Sequence, residues 1–188
     1  FYRFVINFII VRSKCIMINY DFIEAIIFDG FFAAIASIGF AVISNPPRKA
    51  ILVSAFLAAV GHGLRYCLLH STSLDIASAS FLAAFSIGML SIFFAKKIHC
   101  PAEVFSFPSL LPMIPGMFAY KTILALVKFI QCKDDSASVD IIVAIFRNGL
   151  TATFVMFALV VGVAVPMFIF HKQSFAVTRI LKLVKKDR

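Results

Sequence analysis

The sequence predicts an all-α integral membrane protein, a bundle of about five transmembrane helices with one of them broken by a P-x-x-P-G element. Three observations predict it. Apolar residues make up 62% of the 188 positions and charged ones only 14%, with a mean hydropathy of +1.00, more apolar surface than a soluble domain of this length can hide. Apolar windows of about 20 residues, the length that crosses roughly 30 Å of hydrocarbon at 1.5 Å per residue, recur along the chain. They fall at about 22–43, 50–69, 76–95, 105–127 and 141–170, separated by the short polar segments SNPPRK, HSTSLD, KKIHCPAE and QCKDDSASVD.

The first window carries Asp29 in an otherwise apolar run, with Ala33, Ser37 and Ala41 four residues apart on one helix face. Such a small-residue stripe lets two helices approach closely. Ser80, Ala84 and Gly88 repeat the pattern in the third window, as do Ala158 and Gly162 in the fifth. These stripes predict packing and carry no chemistry of their own.

The second window contains AVGHGLRY, in which His62 and Arg65 are three apart and share a face. A charge in hydrocarbon is costly unless it meets protein or water, so ionisable residues within spans mark candidate sites. A pairing of Asp29 with Arg65 would neutralise both, leaving His62, whose ordinary titration range spans neutral pH, as a proton carrier. A purely structural ion pair with a hydrogen-bonded histidine is the competing reading. Lys121 and Arg147 rank lower, as cations near the ends of their windows that snorkel.

The fourth window is interrupted by FPSLLPMIPGMFAYK. Proline lacks an N–H, so Pro108, Pro112 and Pro115 deprive the carbonyls of Val104, Pro108 and Leu111 of their helical donors. Broken backbone at membrane depth is tolerated where it is packed in protein or lines a polar cavity. The element around Pro112, Pro115 and Gly116 is therefore the candidate substrate site. It would offer open backbone groups and, at the restarting helix, a positive N-terminal end for a carboxylate. Tyr120, one turn on, and Asn148, in the last window, would add hydrogen bonds. A kink that only shapes the bundle is the alternative.

The formal charge of +9 raises the possibility of nucleic-acid binding, but the cations cluster at the ends of apolar runs rather than along a polar face with stacking aromatics. They report topology. With five crossings, one side collects Arg48, Lys49, Lys96, Lys97 and the tail cations Lys172, Arg179, Lys182, Lys185, Lys186 and Arg188, and the other Lys128 and Lys133 beside three aspartates. The C-terminus is expected in the cytoplasm. Residues 171–188 read as a basic tail in which Val177, Ile180, Leu181 and Val184 line one face of a helix lying on an anionic leaflet. Residues 1–16, before Met17, read as a doubtful extension from a misplaced start, or else a short apolar segment too short to cross. Its Arg3, Arg12 and Lys14 weaken the charge count without reversing it.

Cys15, Cys67, Cys100 and Cys132 form no metal or disulfide spacing. No Walker A, G-x-S-x-G, G-x-G-x-x-G or H-E-x-x-H motif is present, so neither an enzyme nor a cofactor is expected. If a solute moves, an ion gradient or another chain must supply the energy.

The order of Asp29, SNPPRK, G-H-G-L-R, the P-x-x-P-G-x-x-A-Y run from Pro112 to Tyr120 and R-N-G-L-T-A resembles the small, YjjB-type subunit of the two-component threonine/serine exporter family over about residues 20 to 170. The resemblance implies a domain over 17–170 that belongs to a secondary transporter of the bacterial inner membrane. It implies export of threonine and serine, or of a dicarboxylate such as succinate, together with a larger YjjP-type subunit. A non-transporting scaffold or assembly subunit is the second functional class, which an efflux assay separates from the first.

Overall fold

The structure, a computed structural model, describes residues 20–132 and 135–170, which form six α-helices and no strand. The doubtful N-terminal extension, the basic tail, Lys133 and Asp134 lie outside the described residues. In chain order the helices are α1 (Tyr20–Ile43), α2 (Arg48–Ser71), α3 (Ile76–Ile98), α4 (Glu103–Leu110), α5 (Gly116–Gln131) and α6 (Asp135–Ile169). Four of them are long and apolar enough to cross a membrane, and the bent pair formed by α4 and α5 makes a fifth if it counts as one span.

The first three helices run up and down through short turns. Asn45 and His99 take the left-handed backbone conformation at two of these turns, and His99 caps α3 by donating its N–H to the Ala95 carbonyl, the usual way to occupy a carbonyl orphaned at a helix end. Small residues set the close packing. Ala33, Ser37 and Ala41 are buried, and a Cβ on Gly30 would stand 3.2 Å from the Ala59 carbonyl oxygen where α1 meets α2. Between α3 and α6 the fit is tighter: a Cβ on Gly162 would lie 2.7 Å from the Phe81 carbonyl oxygen, and one on Gly88 3.0 Å from that of Val163. Buried serines keep these faces apolar by bonding within their own helices, Ser54 to Ala50, Ser80 to Ile76 and Ser91 to Gly88.

The core gathers Leu57, Ile87, Phe105, Met113 and Val155 around α4, which packs on α1, α2 and α3. A 3-10 turn over Leu111–Met113 follows, and the chain bends by 49° before α5 begins. Beyond the bend the neighbours change, for α5 packs along the first half of α6 and buries only Ala125. The interruption thus carries the chain from the inner bundle to an α5–α6 hairpin. Pro166 sits inside α6, which nevertheless runs unbroken to Ile169.

Candidate functional site: a buried polar cluster at the chain break

Asp29 stands nine residues from the start of α1 and His62 nine from the end of α2. In antiparallel neighbours this puts both about 14 Å from the same end of the bundle. They meet there, His62 Nδ1 lying 3.0 Å from Asp29 Oδ2. Asp29 therefore pairs with His62 and not with Arg65, a correction to the pairing expected from charge alone. Arg65 turns instead to the break and donates from its guanidinium to the Met113 carbonyl at 3.1 Å. Side chains on a helix lean toward its N-terminus, which carries the Arg65 head back to that depth, and the guanidinium stays within Coulombic range of both Asp29 and His62.

The glycines flanking His62 allow this meeting. A Cβ on Gly61 would lie 2.4 Å from Ile87 Cδ1 and 2.8 Å from Met113 Cε, and one on Gly63 3.2 Å from Ile26 Cγ2. Without them α1, α3 and the break could not all close on the imidazole. His62 is 7% exposed, and its Nε2 is buried with no hydrogen-bond partner. The Pro112 backbone is the nearest main-chain group acting on the ring. Buried polar nitrogens without partners are uncommon and call for an explanation.

The break is better satisfied than its prolines suggest. Ile114 N–H donates to the Leu111 carbonyl, and Gly116 N–H to that of Ile114 at 2.8 Å. With Pro115 at φ −78 and ψ 59 between them, the latter is an inverse γ-turn. The Pro115 carbonyl accepts from Phe118 and Ala119, and Arg65 occupies that of Met113. The expected row of open carbonyls is thus largely filled by a tight turn and one arginine. What stays open is space: a cavity of ≈ 490 Å³ lined by Arg65, Met113, Pro115, Gly116, Met117 and, from α6, Val155. That volume is in the range of small-ligand pockets. The first turn of α5 faces it, and a Cβ on Gly116 would meet nothing within 4 Å.

Pro112, Pro115, Gly116, His62, Arg65 and Asp29 are brought together. Tyr120 is not, since it is 60% exposed and does not line the cavity. Asn148 lies in a separate groove between α5 and α6 with Lys121, and its amide donates to the Ala144 carbonyl at 2.8 Å. Sequence reasoning missed Met113 and Val155. Met113 carried a signal, as the residue between two prolines whose carbonyl needs a new donor; Val155 carried none, because it is apolar and distant in the chain. Among the described residues no group of acidic, cysteine and histidine side chains could hold a metal ion.

These helices and the polar cluster at their centre define a multi-pass membrane protein with an ionisable site among its spans. The threonine/serine exporter family, ThrE, matches residues 29–169, and the chain belongs to that family. A protein of Haemophilus influenzae (strain ATCC 51907 / DSM 11121 / KW20 / Rd), described only as uncharacterized, is 34% identical over 153 residues, which is 81% of this chain and 50% of that protein. The chain spans about half the length of this curated relative. No solved structure matches it.

Proposed function

We propose that the chain is one subunit of a gradient-driven exporter of small carboxylate-bearing metabolites, threonine and serine or a dicarboxylate such as succinate, in the bacterial inner membrane. The observation that carries this reading is the buried Asp29–His62 pair with a free Nε2, set beside a break whose cavity is lined by Arg65. A carboxylate in that cavity meets the guanidinium, which has donors beyond the one it gives to Met113, and the positive first turn of α5. Its counterpart is a proton at His62. The Asp29 carboxylate and the Arg65 guanidinium balance each other's charge, so a proton gained or lost at the imidazole changes the net charge that the substrate anion feels. Membership of an exporter family supports transport over catalysis.

A larger, YjjP-type subunit completes the complex. Alternating access uses two halves that rock about a shared site, and this chain supplies one broken helix and half the length of its relative. The excess of Lys and Arg on one side supports a cytoplasmic C-terminus. The test is metabolite efflux from cells lacking both subunits. Accumulation relieved only when both return supports the proposal, whereas relief by the larger subunit alone reduces this chain to a scaffold.

A further inference from the structure

The α5–α6 hairpin holds a second polar feature outside the cluster at the break. Lys121 and Lys128 of α5 face Asp140 and Asn148 of α6 across a groove of ≈ 350 Å³ that includes Ala144. Its position matters more than its size. On α5, Met117, Lys121, Leu124 and Lys128 follow i, i+4, i+7, i+11 spacing, and on α6 Asp140, Ala144, Asn148 and Val155 follow i, i+4, i+8, i+15, each a single stripe at 3.6 residues per turn. Met117 and Val155 line the cavity at the break, whereas Lys121 and Ala144 line the groove. The two spaces are therefore successive parts of one helix–helix seam, with Thr122 and Gly149 as its narrow point, where a Gly149 Cβ would stand 3.4 Å from Thr122 Cγ2.

Cations occur in order along that seam: Arg65 at the cavity, Lys121 about one turn beyond Met117, and Lys128 about 10 Å further along α5. Neither lysine makes an ion pair among the described residues. Cations left unpaired beside apolar walls mark ion and substrate pathways. We propose that this seam is a water-filled passage leading a carboxylate solute between the cavity and the outer tip of the hairpin. Lys121 and Lys128 are its relay points, and Asp140 at its mouth receives an ammonium group when the solute is a zwitterion. The inference rests on the exporter reading for its solute and on the groove alone for its water and its charge preference.

Ala144→Cys places a probe in the groove without touching either lysine, and Val143→Cys, on an exposed neighbouring position, serves as the control. In membranes carrying the full chain and its partner, labelling by an anionic and a cationic methanethiosulfonate of similar size is followed by peptide mass spectrometry at position 144 and normalised to a free thiol. The expected result is labelling at 144 with about tenfold preference for the anion, the low end of what a charged cleft achieves. The preference should disappear when Lys121→Met and Lys128→Met are added. An unlabelled 144, labelling no faster than at 143, or equal rates for the two reagents overturns the passage. Anion-selective labelling in a chain whose loss leaves efflux unchanged keeps the passage and defeats the exporter reading; subunit-dependent efflux with a sealed groove does the reverse.

Discussion

At the scale of single residues, the contact between Asp29 and His62 is the one whose loss is hardest to absorb. Each buried partner removed alone strands the other in a low dielectric. Asp29→Asn and His62→Gln should therefore be non-additive, with a coupling of about 0.5–3 kcal/mol in a double-mutant cycle read by thermal unfolding of the detergent-solubilised protein. The same cycle on Asp29 and Arg65 should give the smaller coupling, since Arg65 spends its hydrogen bond on Met113. Equal couplings would restore the pairing expected from charge alone. That expectation was reasonable in sequence terms, because opposite charges on neighbouring helices attract. It failed because helix register and the glycines at 61 and 63 decide which side chain reaches which, and neither is visible in a list of charges. Tyr120 and Asn148 failed for a related reason, as the bend that separates α4 from α5 also redirects everything that follows it.

At the scale of elements, packing rests on where backbone can touch backbone. Gly162 faces the Phe81 carbonyl and has no room for a methyl group, so Gly162→Ala should force α3 and α6 apart and destabilise by about 1–3 kcal/mol. Gly39 in α1 meets nothing within 4 Å, so Gly39→Ala should be neutral or stabilise by up to about 1 kcal/mol through helix propensity. Unfolding midpoints of the two variants check both statements, and similar midpoints would contradict them. The long helices were legible because apolar length and polar punctuation are local properties: the windows at 22–43 and 76–95 lie within α1 and α3. The last window starts later than its helix, since polar residues from Asp135 extend α6 by pairing it with α5. The neighbours on either side of the break were not legible, because they depend on contacts far apart in sequence.

At the scale of the whole molecule, the account makes one half of a machine. Most of the large apolar side chains of α5 are exposed, among them Met117, Ile123, Leu126 and Ile130, and that helix packs on α6 alone among the described helices with substantial contact. Lipid or a second chain must cover it. Purified by itself and placed in liposomes, the chain should insert yet carry no gradient-coupled flux, and substrate flux matching that of the two-chain complex would point to a self-sufficient oligomer instead. The central claim, that His62 beside the break exchanges the proton that drives export, is tested most directly by the flux of a labelled carboxylate from liposomes holding both chains, with and without an imposed pH gradient. The parent complex should accelerate under the gradient, while His62→Gln, which keeps a hydrogen-bonding side chain opposite Asp29, should transport at a rate that no longer responds to it. A His62→Gln complex that retains the full gradient response would contradict the account.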